Sequence, residues 1–445
     1  MSKFYKTMIH IGLPIAISHL LTSALNLVDT LMIGGLGETA IAGVGVANRL
    51  FFLFSLSMYG IYSGCGIFTA QYWGVRDILN IRRMMGIMLI FGSITGLIFT
   101  LGSLLMPQQL LDLFSDDPRA IQLGIKYLRI VGISYIFTAI SFMFSFTSRS
   151  VHQTTMPMLV SGGALVMNTV LNYLLIYGKY SFPQMGVEGA ALATLIARTF
   201  EMVAMGLVIY LSKDHPLRAS VSELFDFNKA QLMRVIKTGY PVFVNEATWA
   251  LGNTVYFIAY GYIGTSALTV VTISYTVADL FQALFMGIGS ACGVMVGNDI
   301  GRGDLDKAFS DAKRFLKLTV GLSLIIVAGT ILSRNLISAL YAELTPETTA
   351  MLLNTLIVTG IYQLPKMFTF TMIVGILRSG GDTHFCMLLD LATVWLVGVP
   401  LGFITAIWLQ WPVHLVVGAV FFEEWVKVGI TIPRFLSKKW ISKVI

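Results

Sequence analysis

Apolar runs alternate with short charged connections along the whole chain, and twelve of the runs are long enough to cross a bilayer. They lie near residues 8–34, 40–73, 82–106, 119–147, 154–178, 186–212, 231–261, 267–298, 310–333, 347–377, 384–408 and 412–434. A membrane-spanning helix needs roughly 20 apolar residues. Inside hydrocarbon each backbone N–H and C=O must also be satisfied within the segment, which a helix achieves. The pattern therefore predicts an all-α integral membrane protein with twelve transmembrane helices. Charge content agrees: 12% of residues are charged and 56% hydrophobic, where a soluble domain is about a quarter charged. The first run is too long for the core of a cleaved signal and reads as a retained span.

A net charge of +7 could suggest nucleic acid, but the basic residues form no single patch. They sit in alternate short loops, as the positive-inside rule expects of a membrane protein. Lys3 and Lys6, then Arg76, Arg82 and Arg83, Arg149, the 213–237 region, the 302–317 region, Arg378 and the tail share one side. The intervening loops hold few basic residues and carry acids such as Asp112, Asp116, Asp117 and Glu343. Both termini are expected in the cytoplasm, which requires an even number of spans. Cys65, Cys292 and Cys386 all fall in apolar runs without CxxC spacing, so no zinc or disulfide framework is expected.

An internal repeat organises the twelve runs. Sliding the chain by 227 residues places Gly12-Leu13-Pro14 on Gly239-Tyr240-Pro241 and Cys65-Gly66 on Cys292-Gly293. A slide of 229 places Arg149-Ser150 on Arg378-Ser379 and Gly189-Ala190 on Gly418-Ala419. Glycine, proline, cysteine and loop charges at a near-constant offset indicate two copies of a six-helix unit. The expected division is an amino-terminal lobe over 1–212, a cytoplasmic linker over 213–229 and a carboxy-terminal lobe over 230–445. Six helices per copy make the repeat parallel, and two pseudo-symmetric lobes around a central cleft are the architecture of a carrier that rocks between states.

Ionisable residues within such runs are costly in hydrocarbon and are the first functional candidates. Asp29 lies deep in the first run; it reads as a cation or proton site, as an acid hydrogen-bonded to a neighbouring helix, or as an acid simply near the extracellular end. Asn168 and Asn172 share a helical face and could join it in offering oxygen to a hard ion such as Na⁺, or could serve as interhelical glue. Glu246 follows Pro241 in the seventh run, with Arg49 as its expected counter-charge. Asp382, after Arg378-Ser379-Gly380-Gly381, reads as a helix N-cap. Asp390 and Asp279 lie deeper, and of Glu423-Glu424 one is expected to face away. Pro14 interrupts the hydrogen-bond ladder of the first helix and marks a bend. No GxxxxGK[ST], HExxH or GxSxG is present. The expectation is therefore no enzyme, no nucleotide or other cofactor, and transport driven by an ion gradient.

Taken in order, Gly12-Leu13-Pro14 with Val28-Asp29-Thr30, Ala70-Gln71-Tyr72-Trp73-Gly74, Asn168 to Asn172 with Tyr177-Gly178, Gly186-Val187-Glu188-Gly189-Ala190-Ala191 and Leu377 to Asp382 resemble the MATE (multidrug and toxic compound extrusion) family, NorM-like bacterial branch. The resemblance covers nearly the whole chain. It implies a drug/Na⁺ or drug/H⁺ antiporter of the cytoplasmic membrane that exports organic, cationic compounds. It also implies a cation-coupling site at Asp29, Asn168, Asn172 and Thr194, with Na⁺ a possible occupant. Some members carry Asp where this chain has Asn172, which leaves the coupling ion open. Asp382 matches a carboxy-lobe acid of some members, and Glu246 lies a turn from another. The expected partners are a small organic substrate and membrane lipid, with a monomeric chain and no nucleic acid. A lipid-linked oligosaccharide flippase of the same superfamily is the alternative; an intramembrane enzyme is more remote. Because the repeat partner of Asp29 is Tyr256, which is no carboxylate, coupling is expected through the amino lobe.

Overall fold

The computed structural model describes residues 3–341 and 344–445, apart from the side chains of residues 26 and 27; the loop acid Glu343 lies outside the described residues. Every regular element among them is helical. Twelve long stretches account for the runs: α1 (Lys3–Gly34), α2 (Glu38–Gly74), α3 (Ile78–Leu105), α4 (Pro118–Val131 with Ser134–Ser150), α5 (Thr155–Tyr177) and α6 (Val187–Leu211), followed by α7 (Lys229–Gly261), α8 (Thr265–Arg302), α9 (Leu305–Ala339), α10 (Pro346–Gly380), α11 (Thr383–Trp408) and α12 (Val413–Leu436). Among the described residues nine of these are individually long and apolar enough to cross a membrane, and α4 makes a tenth if its two parts are one span. The other two, α7 and α12, have polar groups within their apolar runs. They carry Asn245, Glu246 and Asn253, and Glu423, Glu424 and Lys427, respectively. Large apolar side chains face outward, such as Leu332 at 82% and Leu396 at 75% exposure. Such a surface suits lipid as its solvent.

The fourth run departs from a single straight helix. It bends by 53° at Gly132 and Ile133. A side chain at Gly132 would come within 2.4 Å of the Ser103 Cβ, so only glycine lets α3 approach this closely. The Thr100 hydroxyl donates to the Gly132 carbonyl at 2.8 Å, satisfying an acceptor at the break.

The chain forms two compact units, residues 17–239 and residues 1–16 with 240–445. The divisions fall beside the two repeated prolines, within α1 and α7. Each Gly-x-Pro motif has a packing role inside one unit. In the carboxy unit Gly12 lies against α8, where a Cβ on Gly287 would sit 2.4 Å from the Gly12 carbonyl oxygen. In the amino unit a Cβ on Gly64 would sit 2.7 Å from the Gly239 Cα. Close backbone approach at small residues is how helices associate without a hydrophobic driving force. Among the described residues the widened π turns, Thr371–Leu377, Val394–Gly398 and Ile404–Trp408, all lie in α10 and α11 of the carboxy unit.

Candidate functional site

The amino unit gathers the four candidate residues into one hydrogen-bonded chain. Asn172 donates from Nδ2 to Asp29 Oδ1 at 2.5 Å and to Asn168 Oδ1 at 3.0 Å. Asn168 in turn donates to Thr194 Oγ1 at 3.3 Å, and Thr194 donates to the Ala190 carbonyl at 3.0 Å. Both asparagines are fully buried. The amide nitrogen of Asn172, not its oxygen, faces Asp29; its Oδ1 is buried with no hydrogen-bond partner. A proton or cation arriving at Asp29 therefore competes with the Asn172 amide for the same carboxylate.

Local sequence explains the placement. Tyr177 donates to the Met32 carbonyl at 2.6 Å, pinning the end of α5 to α1 one turn beyond Asp29. Gly178 turns left-handed at φ +64° to end α5, and the backbone of Met185 then returns to the Leu175 carbonyl at 2.8 Å. Gly189 lets α6 press onto α5, since a Cβ there would lie 2.7 Å from the carbonyl of Leu175. That contact sets Thr194 beside Asn168.

An ion pair missed in the sequence adjoins this chain. Arg198 Nη1 lies 2.9 Å from Glu201 Oε2, and Ser161 donates to Glu201 Oε1 at 2.6 Å. These residues, with Asn168, Thr194 and Leu25, line a small, partly open cavity. Two opposite charges three apart inside the sixth apolar run were the available signal.

The carboxy unit holds a larger network. Arg378 Nη1 pairs with Glu246 Oε1 at 2.8 Å, and its Nη2 donates to Asn245 Oδ1. Asn245 donates to Asp390 at 2.5 Å, and Lys427 Nζ lies 3.0 Å from the other Asp390 oxygen. Lys427 also meets Glu424 at 3.3 Å and Glu423 at 3.6 Å. Tyr256 closes the network by donating to Glu423 Oε2 at 2.5 Å, in space left by Gly398, where a Cβ would lie 2.2 Å from the Tyr256 oxygen.

Several expectations change here. Glu246 pairs with Arg378 rather than Arg49, because Arg378 at the end of α10 reaches α7 inside the same unit. Asp382 occupies the N-cap position of α11 but makes no side-chain cap bond. Its carboxylate instead takes Arg434 bidentately, at 2.7 and 2.9 Å. Neither Glu423 nor Glu424 faces away; they are 4% and 5% exposed, both drawn inward by Lys427. Asp279 lies midway along α8, as expected, with its side chain exposed. No group of three or more His, Cys, Asp or Glu poised to hold a metal occurs among the described residues. The three cysteines are free and buried.

A profile of the MatE family matches residues 14–174 and 241–404, once in each copy of the repeat. The chain belongs to the MATE family. It is therefore a membrane transporter and not an enzyme. Among curated proteins, it is 26% identical to the uncharacterized transporter YisQ of Bacillus subtilis, over 93% of this chain and 90% of that one. It is 23% identical to the multidrug resistance protein PmpM of Pseudomonas aeruginosa, over 92% and 85%. The probable multidrug resistance protein NorM of Thermotoga maritima is 23% identical over 99% and 94%. A solved structure of a MATE protein in the bent conformation has the same fold, with a TM-score of 0.90 over 98% of this chain and 97% of that one at 18% identity.

Proposed function

We propose that this MATE protein exports organic, cationic compounds across the cytoplasmic membrane in exchange for Na⁺ or H⁺, as a monomer with both termini in the cytoplasm. The multidrug resistance names of PmpM and the NorM relatives support the export reading. The bias of basic residues toward alternate loops supports the orientation. Residues 1–212 and 230–445 act as the two lobes, joined by the linker.

One observation carries the coupling reading: among the described residues the Asp29 carboxylate accepts its side-chain hydrogen bond from a neutral amide, that of Asn172, with no base paired to it. A carboxylate held that way stays available to a cation. In the inward exchange step the ion takes the carboxylate and displaces the Asn172 donation, so the Asn172–Asn168–Thr194 chain registers occupancy. The substrate cannot fully share that carboxylate, which makes the two ligands compete. Pro14 leaves α1 one backbone donor short, so α1 can bend there as the charge at Asp29 changes. Glu246, Asp382 and Asp390, each paired with a base, hold the carboxy-lobe structure and are the secondary coupling candidates.

The test is exchange in proteoliposomes under an imposed Na⁺ or H⁺ gradient. Asp29→Asn should abolish gradient-driven export of ethidium. Export at the wild-type rate would remove Asp29 as the coupling group. Ethidium movement insensitive to either ionophore would remove cation coupling itself, and lipid-headgroup translocation without ethidium export would favour a flippase.

A further inference from the structure

The cavity beside the Asp29 chain leads away from it in one direction. On each helix that walls it the lining reaches seven residues from the level of the polar chain. On α1 it reaches Thr22 from Asp29, on α5 Ser161 from Asn168, and on α6 Glu201 from Thr194. Seven residues make about two helical turns, roughly 10 Å. The direction is toward the end where α1 and α5 begin and α6 finishes, the side expected to face the cytoplasm. An ion released from Asp29 to that side meets this cavity first.

At the far end lie Glu201 and Arg198, with side chains 6% and 13% exposed. Arg198 Nη1 is 2.9 Å from one carboxylate oxygen, and the Ser161 hydroxyl donates to the other at 2.6 Å. The guanidinium also lies over the Phe51 ring of α2, 5.7 Å from its centre. A buried pair of this kind often stabilises no better than apolar residues of the same volume, so packing alone does not account for the charges. At the inner end the cavity reaches Asn168 and Thr194, with Tyr127 of α4 beside Thr194. The titratable and charged groups around this space are Glu201, Arg198, Asp29 and Tyr127.

The cavity has room for about one water molecule. A metal ion needs several oxygens at once, whereas a proton needs only a succession of hydrogen-bonding groups, as in the acid relays of membrane pumps. We propose that Glu201 is a second protonation station on the coupling path: a proton leaving Asp29 crosses the cavity to Glu201 and passes from there to the cytoplasm. Arg198 re-forms its pair with the acid once the proton has gone. The coupling ion is then H⁺. This rests on the Asp29 coupling reading and names the ion and its way out.

Carbodiimide labelling of the purified full-length protein reads the station without transport. Dicyclohexylcarbodiimide modifies protonated carboxyl groups in apolar surroundings, and peptide mass mapping locates the adduct. Labelling of Glu201 should rise about tenfold for each unit by which pH is lowered from about 8 to about 6. It should do so in wild type and in Asp29→Asn alike, and should not respond to Na⁺. Glu201 left unlabelled, or protected by Na⁺ at constant pH, would overturn the proposal. Transport gives a second reading. Glu201→Gln combined with Arg198→Gln removes both charges and strands neither. In proteoliposomes the ratio of proton-driven ethidium export to ethidium–ethidium exchange, which moves no net proton, should fall on the order of a hundredfold. A merely structural pair would slow both processes together, and an unchanged ratio would overturn the proposal. If Asp29→Asn exports at the wild-type rate while Glu201 still labels as described, the Asp29 reading fails and Glu201 stands as a proton site by itself.

Discussion

Lys427 Nζ lies 3.0 Å from Asp390 Oδ1, with the lysine side chain 2% and the aspartate side chain 9% exposed. One cation therefore serves three buried acids, Asp390, Glu423 and Glu424. Lys427→Met would leave all three without it. Removing one partner of a buried pair costs about 3–5 kcal/mol, so the thermal midpoint of the purified protein should fall sharply. Adding Asp390→Asn should restore part of the loss, because one stranded charge is then gone. An unchanged midpoint in the single variant would show that the network is not stabilised by its lysine.

Asn172 is the natural place to alter the ion site without touching Asp29. Asn172→Asp sets a second carboxylate against the first, an arrangement that favours a bound cation. The half-maximal concentration of the driving ion should fall on the order of tenfold, measured from initial rates in proteoliposomes. A rise would mean that the amide, as a donor, is what the coupling step requires.

Gly189→Ala tests whether the contact between α5 and α6 sets the polar chain. The new methyl would meet Leu175 backbone at 2.7 Å, and backbone cannot rotate away. Overpacking of this kind costs about 1–3 kcal/mol, and efflux should drop as Thr194 separates from Asn168. Gly163→Ala, also on α5, meets only the Phe200 ring at 3.5 Å and should be silent in both assays.

The linker gives a pH-dependent contribution outside the membrane. The Ser220 backbone N–H, then Arg82 at 2.7 Å, holds the Glu223 carboxyl below its usual range. Its folded pKa lies under the unfolded one, so the stabilisation is complete above about pH 4.3 and is lost as pH falls through the folded value. Hydrogen exchange in residues 216–231 should therefore be faster in Glu223→Gln than in wild type at pH 7. The two should converge in acid; a difference that persists there would assign the effect to packing.

Helix number and limits were legible because hydrocarbon imposes a single rule on every span, and loop charge marks each end. The amino cluster was legible too, since Asp29, Asn168 and Asn172 are conspicuous where almost everything else is apolar. Pairing was not. Arg378 and Arg49 are equally basic on paper, and only the path of α10 decides which one meets Glu246. Lys427 and Arg198 escaped notice because each sits among acids at helical spacing and lowers the local charge. The bend at Gly132 leaves no trace in periodicity, because it depends on how near α3 comes.

The hydrogen bond between Tyr256 and Glu423 bears on how such duplicated chains are read. By position, the second copy lacks the acid of the first: Tyr256 stands in register with Asp29, and Glu423 with Thr194. By location it has one, carried on the last helix of the copy instead of the first and joined to the matching position through a phenol. The two copies thus place an acid in the same kind of neighbourhood from different helices. Comparing the halves column by column would find no acid at the Asp29 position of the second copy, although one lies a hydrogen bond away.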